Sequence, residues 1–351
     1  MKKALKINIV LSILAILAFL SVLFPPHKFW ILGFIGYTIP FFLILNFAFV
    51  VYWLIRKRVY SLISIAVLIL GYSFILSTVS FNIIKETGEN SFRILSYNTR
   101  CFNPYPRVGR KDREIFNKII EKSTSLEPDI ICFQEYCSYE IYPAFDVSKA
   151  MRAAGYTNLH LPNNELNKTY LTTGLAIFSK RSFIHAGEVK LDQYKRALFA
   201  DFAFDQDTIR VYNVHLESLN LPDMESDSLT ANPSGLAESV FSRLKNGFID
   251  RSRQIDKLIQ SIQNTPYPVI VTGDFNDLPY SYVYHSLREK LNNSLEKGGN
   301  GFGFTYNGAL PMLRIDYQFS SKNIKILKHE TRKDINITDH LPISVTYGMD
   351  H

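Results

Sequence analysis

PVIVTGDFND, residues 268–277, sets Val269, Ile270 and Val271 directly before Gly273-Asp274-Phe275-Asn276-Asp277. A short apolar run bounded by turn residues reads as a buried strand, here over 268–275, that ends by presenting a carboxylate and an amide. One such ending is ordinarily a turn. Outward along the chain, however, the same grammar recurs: Asn98 in SYNTR, Glu135 in CFQEY, His215 in NVHLES, Asp316 in RIDYQF and Asp339-His340 in TDHLPI. Each polar group follows or flanks an apolar run, where a rigid scaffold can aim it into one cleft.

The flanking segments define the layers. Strands are expected at 93–99, 129–135, 174–179, 197–204, 208–217, 268–275, 315–320 and 341–347, and helices at 110–126, 144–154, 236–262 and 280–291. Two-residue periodicity puts Val211, Asn213, His215 and Glu217 on one strand face. Leu244, Phe248, Ile255, Leu258, Ile259 and Ile262 form a helical stripe that reads as core packing. Strands outnumber helices, which favours packed sheets flanked by helices over a doubly wound single sheet.

The ordered set of motifs resembles the endonuclease/exonuclease/phosphatase superfamily, which includes deoxyribonuclease I, AP endonucleases, neutral sphingomyelinases and inositol polyphosphate 5-phosphatases. GDFN and the terminal DH carry the resemblance most strongly, and FQE supports it, over residues 92–348. The resemblance implies an α/β (α+β) four-layer sandwich of two mixed β-sheets flanked by helices. It also implies divalent-metal-dependent phosphoester cleavage at the rim of the two facing sheets.

That chemistry needs charge neutralisation, an oriented water and help for the departing oxygen. Mg²⁺, or Mn²⁺ in its place, takes hard oxygen ligands and keeps several waters. Glu135 is the foremost ligand candidate, with Asn98 and Asp339 contributing directly or through water. Asp274, beside Asn276, would orient or deprotonate the attacking water. His340 would contact the phosphoryl oxygens, its state fixed by Asp316. His215 would be a second phosphate contact and a proton donor to the leaving group. Arg196 in KRALFADF matches a position where family members often carry a substrate-contacting arginine, although a surface salt bridge explains it equally well. Gly174 fits the family's glycine before a strand, and Thr305 sits where a rim residue contacts substrate in some relatives. No compact His/Cys set suggests zinc.

Residues 1–85 are different in kind. They hold no acidic residue and three uncharged apolar stretches, Ile7–Leu23, Phe29–Ile55 and Val59–Ile84, which read as three transmembrane helices through residues 7–84. Phe24-Pro25-Pro26-His27 offers no signal-peptide cleavage site. Lys2, Lys3 and Lys6, and then Arg56-Lys57-Arg58, lie on the cytoplasmic side by the positive-inside rule. Residues 86–91 form a linker, and the catalytic domain at 92–348 is expected to face outside the cytoplasm from the cell (inner) membrane. Of the 39 basic residues eight lie in 1–85, leaving 31 against all 32 acidic residues beyond it. The formal charge of +7 therefore belongs to the membrane region, and no basic footprint for gripping DNA remains. Cys101, Cys132 and Cys137 make no CxxC pair; Cys132 reads as a buried thiol, and nothing supports a Cys132–Cys137 bond.

The phosphoester itself, nucleic acid or lipid head group, is less legible. The His215/His340 pair is similar to the deoxyribonuclease I, sphingomyelinase and 5-phosphatase branches, whereas AP endonucleases usually place a tyrosine at the first position. RIDYQF lacks the Trp-Cys-Asp-Arg type signature of 5-phosphatases. Asp223, Glu225 and Asp227 in 218–235 would repel a polyanion if that segment were a lid, but a solvated loop is the simpler account. A nuclease/phosphodiesterase leads, with a phospholipid or sphingolipid head-group phosphodiesterase as alternative. A catalytically inactive binding module would be favoured by loss of a metal ligand, and none is lost. No protein partner is predicted.

Overall fold

A computed structural model describes residues 1–83, 91–102, 110–139, 143–162, 171–204, 207–218, 233–308 and 310–349. Residues 86–90 of the expected linker and the acidic cluster Asp223, Glu225 and Asp227 lie outside the described residues. The chain forms two compact units: Met1–Ser80 with Leu219–Arg253 and Asp277–Glu289, and Phe81–Ser218 with Gln254–Asn276 and Lys290–His351.

In the second unit the described residues build two six-stranded sheets. One contains β1 (Ser91–Asn98), β2 (Ile130–Tyr139), β3 (Asn158–His160), β4 (Leu171–Ser179), β11 (Ile324–Thr331) and β12 (Ile343–Met349), in the order β11-β12-β1-β2-β4-β3. The other contains β5 (Phe183–Lys190), β6 (Arg196–Phe204), β7 (Asp207–His215), β8 (Val269–Asp274), β9 (Asn292–Asn293) and β10 (Asp316–Ser320), in the order β5-β6-β7-β8-β10-β9. Both are mixed. Each has one parallel pair at its centre, β1 with β2 and β7 with β8, among antiparallel neighbours.

Strand alternation explains the layers. Phe92 and Ile94 of β1 and Ile130 and Cys132 of β2 point between the sheets, where they meet Leu198, Ala200, Val211 and Ile270. The intervening Leu95, Tyr97, Ile131 and Phe133 face outward onto Phe116 and Ile119 of α6 (Arg110–Thr124) and Val147 and Met151 of α7 (Val147–Ala153). Strands buried on both faces read as unbroken apolar runs, as these do. Each such side chain contributes about 1.5–3 kcal/mol on burial. An Ile94→Asp change in the inner layer should therefore abolish folding. The second sheet is flanked by the C-terminal part of α8 (Pro233–Asn264), where Tyr212 and Ser261 share a hydrogen bond of 3.1 Å. The expected sandwich of two mixed sheets flanked by helices is the observed one.

Four strands were not expected: β3, β5, β9 and β11. β5 is half-exposed, with Ile184 and His185 toward solvent. β11 mixes Lys325, Lys328 and Glu330 with its apolar residues. Edge strands carry charge on the free side, which hides the apolar signal. Cys132 is buried and reduced, whereas Cys101 and Cys137 are joined in a disulfide.

The first unit holds α1 (Lys2–Ser21), α2 (Ile31–Gly36), α3 (Ile39–Arg56), α4 (Ser61–Leu70) and α5 (Tyr72–Thr78). Two helices, Lys2–Ser21 and Ile31–Arg56, are long and apolar enough to cross a membrane. The third expected span, Val59–Ile84, corresponds to Arg58–Leu70 and Tyr72–Thr78, which bend by 62° at Gly71; counted as one they make up to three spans, and Val79 to Ile83 are not helical. Polar groups inside this bundle pair with one another. Asn8 donates to Ser64 at 2.7 Å and accepts from the Trp53 indole at 2.9 Å, and Ser12 donates to Asn46 at 3.2 Å. Polar groups buried away from water are nearly always paired in this way.

The same unit includes the first part of α8 and most of α9 (Tyr282–Lys290). The His27 backbone N–H donates to Ser252 Oγ at 2.9 Å, and the Tyr37 hydroxyl donates to Asp277 Oδ1 at 2.6 Å. The Thr78 and Tyr280 hydroxyls lie 2.8 Å apart. Phe248 makes edge contacts with Phe34 and Tyr37. Arg251, fully buried, pairs with Asp277 at 3.2 Å, so the charge taken out of water is compensated.

Candidate active site

Strand direction gathers the polar strand ends. Parallel pairing of β1 and β2 sets Asn98 opposite Gln134, so that Glu135 emerges beside it. Parallel pairing of β7 and β8 sets His215 opposite Asp274. β10 runs antiparallel to β8, which puts its first residue, Asp316, opposite Asp274. β12 runs antiparallel to β1, so Asp339-His340, just ahead of it, arrive at the same rim. Gly273 makes the approach possible. Its φ of +142° is a glycine conformation, and a Cβ there would lie 2.0 Å from the Val214 carbonyl oxygen.

Asp274 is the hub. Its Oδ2 accepts from Asn98 Nδ2 at 3.0 Å and lies 3.8 Å from Nε2 of both His215 and His340. Its Oδ1 accepts from the Asn276 backbone N–H at 2.9 Å, while the Asn276 side chain donates to the Leu216 carbonyl. Asn98 Nδ2 also reaches Glu135 Oε1 at 3.1 Å, and Glu135 Oε1 is 3.9 Å from His215 Nε2. His340 Nδ1 faces Asp316 Oδ2 at 3.0 Å. Asp339 joins from the other side through Arg100, 3.5 Å from its Oδ2. Two buried atoms, His215 Nε2 and Asp339 Oδ1, have no hydrogen-bond partner among the described residues. Buried polar atoms are nearly always paired, so an orphan at a strand-end cluster points to a missing ligand.

The electrostatics separate the two histidines. Burial pushes His215 down to about 4 against the pull of Asp274, and Lys195 and His340 push the same way, so it is neutral at pH 7. Burial would also lower His340, but Asp316, Asp274 and Asp339 together hold it up at about 10, so it is an imidazolium. Asp274 is held above the ordinary carboxylate range by burial and by Asp316, with His340, His215 and Asn98 opposing. Ligand atoms of Asp274, Asp316 and His340 lie within 4.8 Å of one another, a spacing that could hold a metal ion. His340 would have to give up its proton to join such a set; Glu135 and Asp339 offer further carboxylate oxygens, while Asn98 turns its Nδ2 to Glu135 and Asp274 and its Oδ1 to the Arg100 N–H.

Asn98, Glu135, His215, Asp274, Asn276, Asp316 and His340 thus come together, with Asp339 linked through Arg100. Arg196 begins β6 at the strand end facing His215, but its guanidinium pairs with Glu188 at 3.3 Å. Thr305 is corrected from rim to interior: it is fully buried, and its hydroxyl accepts from the N–H groups of Ile315 and Asp316. Gly174 does have a backbone reason, a φ of +124°.

Four contributors were not anticipated. Arg100 pairs with Asp339, and the Thr338 hydroxyl donates to the Asn98 carbonyl at 3.2 Å. The Tyr306 ring packs edge-on against His340 at 5.0 Å, and Lys195 depresses His215. Arg100 and Thr338 flank motif residues, so inspection of motif neighbours could have found them. Lys195 and Tyr306 adjoin Arg196 and Thr305, so the same inspection reaches them. Below the rim, Gln134 Nε2 donates to Asn213 Oδ1 at 2.7 Å, and Asn213 donates to the Phe133 and Ala176 carbonyls, pinning one sheet to the other.

Residues 95–340 match the Endonuclease/Exonuclease/phosphatase family, and residues 2–78 match a family described as a domain of unknown function (DUF8431). No match was found among curated proteins. Among solved structures, the endonuclease/exonuclease/phosphatase from Bacteroides vulgatus is similar at 14% identity with a TM-score of 0.54, covering 75% of this chain and 100% of that one. The human Nocturnin catalytic domain with bound sulfate anion is similar at 17% identity and a TM-score of 0.53, covering 76% and 97%. The protein from Beutenbergia cavernae DSM 12333 gives 15% identity, a TM-score of 0.52 and coverage of 74% and 72%. At these identities the likeness is one of fold.

Proposed function

Because the chain belongs to the endonuclease/exonuclease/phosphatase family, a family of phosphoester hydrolases, we propose that it is a membrane-anchored, Mg²⁺-dependent nuclease or phosphodiesterase acting outside the cytoplasm. The observation that carries this reading is the Asp274 carboxylate, held between Asn98 and two histidines of opposite charge state.

The donor set suits a hard cation. Glu135 and Asp339 are carboxylates, Asn98 would offer its amide oxygen once its Nδ2 turned from Glu135, and the buried Asp339 Oδ1 has no partner among the described residues. When bound there, Mg²⁺ or Mn²⁺ would neutralise charge on the phosphoryl oxygens. Asp274, with Asn276 fixing its Oδ1, orients and deprotonates the attacking water, a role that its raised proton affinity favours. His340, oriented by Asp316, donates from Nε2 to a phosphoryl oxygen as an imidazolium. His215 is neutral and so contacts phosphate as a hydrogen-bond donor, a weaker acid than the leaving-group role requires. Arg196 would have to leave Glu188 to touch substrate.

The membrane part of the reading takes residues 1–85 as the anchor, 86–91 as linker and 92–348 as the catalytic domain. Among the described residues, His27, Tyr37 and Thr78 are hydrogen-bonded to segments between residues 233 and 289. They cap the same end of three expected crossings, opposite Lys2, Lys3, Lys6 and Arg56–Arg58. The positive-inside rule then puts the catalytic side outside the cytoplasm of the cell membrane. A disulfide in the domain is in keeping with an oxidising compartment.

A second reading, a lipid head-group phosphodiesterase, is favoured by the apolar exposure beside Asn82. The Asn82 N–H donates to Asn300 Oδ1 at 2.7 Å, with Phe81, Ile83 and Phe302 all exposed nearby in sequence. The test is a substrate panel on the full chain in detergent with Mg²⁺: DNA, RNA, bis-p-nitrophenyl phosphate, sphingomyelin and inositol phosphates. Cleavage of a diester, abolished by EDTA and restored by Mg²⁺ or Mn²⁺, supports the reading. Full activity in metal-free buffer would refute it.

A further inference from the structure

The turn that follows β1 is strained at three successive residues. Arg100, Cys101 and Phe102 have φ of 45°, 55° and 56°, a left-handed run without glycine. Glu135 has φ of 48° where the β2–β4 register slips between Phe133 and Tyr136. Backbone in this region is disfavoured for side chains with a Cβ, and it persists only where the surroundings over-determine it. Among the described residues, contacts with β2 and α6 hold the turn. Phe102 is buried against Phe116, Phe133 and Tyr136, and Thr99 N–H donates to the Gln134 carbonyl at 3.0 Å. A covalent tie joins the two segments: Cys101 to Cys137, with Cα atoms 4.7 Å apart and a sequence separation of 36.

That bond spans the two strained segments, and each holds a cation-binding candidate. Cys101 lies three residues after Asn98 and Cys137 two after Glu135. Arg100, between Asn98 and Cys101, donates its backbone N–H to Asn98 Oδ1 at 3.1 Å and pairs with Asp339 at 3.5 Å. Thr99 Oγ1 donates to the Glu135 carbonyl at 3.3 Å. All three candidate ligands therefore depend on the conformation of one turn.

We propose that the Cys101–Cys137 disulfide is a redox-dependent clamp on the cation-binding side of the site, rather than a staple for the fold at large. The proposal rests on the reading that Asn98, Glu135 and Asp339 hold the cation. Cys101 and Cys137 are positioning residues. Cys101 is partly exposed and Cys137 buried, so Cys101 is the sulfur that meets an external oxidant. Its thiolate attacks a disulfide of that oxidant, expelling one thiolate and forming a mixed disulfide. The Cys137 thiolate then attacks the Cys101 sulfur and expels the second. Two protein thiols lose two protons and two electrons, and the external disulfide is reduced to two thiols. In a reducing compartment the pair stays open, the turn relaxes, and the cation site is loose. After exposure to an oxidising compartment it closes.

The experiment uses the full chain in detergent and Mn²⁺ as probe. Mn²⁺ affinity is read by electron paramagnetic resonance, and melting temperature is followed with and without Mn²⁺. Oxidised protein, phosphine-reduced protein and the Cys101→Ser/Cys137→Ser double variant are compared, with thiols counted by mass spectrometry. The clamp predicts that reduction weakens Mn²⁺ binding by on the order of tenfold or more, the scale found when groups supporting metal ligands are removed. Reoxidation restores it. The double variant matches reduced protein and ignores the reductant, while Cys132→Ala retains the full redox response. Free thiols with unchanged Mn²⁺ affinity, in a protein whose Glu135→Gln variant no longer binds, would overturn the clamp and leave the metal reading standing. Absence of Mn²⁺ binding in both redox forms would overturn both. A double variant unfolded in metal-free buffer would make the bond a plain structural staple, and the clamp would fall.

Discussion

Asp274→Asn tests the site most directly, because it removes one charge and leaves the shape. The carboxylate accepts two hydrogen bonds, from Asn98 Nδ2 at 3.0 Å and from the Asn276 N–H at 2.9 Å. An amide must turn its NH₂ toward one of those donors, and leaving a buried donor unmatched costs ~1–3 kcal/mol. The opposite term is electrostatic. Burial, and then the neighbouring Asp316, raise the Asp274 proton affinity, so at neutral pH the ionised form is disfavoured in the folded state. Asparagine carries no such cost, and the two effects oppose each other. Net stability should therefore change by no more than roughly 1–2 kcal/mol. Turnover should respond very differently. Loss of one preorganised transition-state group costs ~10²–10³ in rate, or roughly 3–4 kcal/mol, and here the water-orienting group itself is lost. The assay is kcat on bis-p-nitrophenyl phosphate with saturating Mg²⁺, beside the melting temperature of the same full-length preparations. Turnover within threefold of wild type would remove Asp274 from the mechanism (a smaller change than ~1 kcal/mol). A stability loss matching the rate loss would mean that a structural network had been taken for an active site.

Asp316→Asn should move the alkaline limb of kcat/KM down by at least ~1 pH unit. Asp316 is the foremost of the carboxylates holding His340 up at about 10, and without it burial gains ground. An unmoved limb would detach Asp316 from His340. His329, with Nδ1 2.8 Å from Ser294 Oγ, is pushed down to about 3 by burial and then by Arg314. A folded-state value below the unfolded one gives stability that is complete above about 6.5 and lost as the pH falls toward 3. His329→Leu should therefore flatten the acid limb of the melting-temperature profile, and parallel profiles for variant and wild type would refute this. A reporter joined after Lys85 should be active as alkaline phosphatase, which needs export, and silent as a cytoplasm-only reporter. The reverse pattern would invert the membrane topology.

Local signals carried much of the protein. Apolar runs ending in Asn98, Glu135, His215 and Asp274 were visible because a strand buried on both faces leaves an unbroken apolar trace, and the polar residue at its end stands out. The acid-free, apolar first 85 residues were equally legible, since uncharged apolar runs of that length stand out against any globular stretch. Only the tertiary structure decided what pairs with what. The opposition of Asp274 to Asp316 spans 42 residues and depends on β10 running antiparallel to β8. The Cys101–Cys137 bond depends on β1 and β2 lying parallel, and the Arg196–Glu188 pair on the edge strand β5. The bend at Gly71 and the assignment of Asp277 and Arg251 to the same unit as Tyr37 are of this kind as well. Residue type and spacing report which groups must leave water and with what period. They do not report strand neighbours, and the charge state of a histidine depends on those neighbours: the same imidazole is neutral at position 215 and protonated at 340 because carboxylates outweigh burial only at the second.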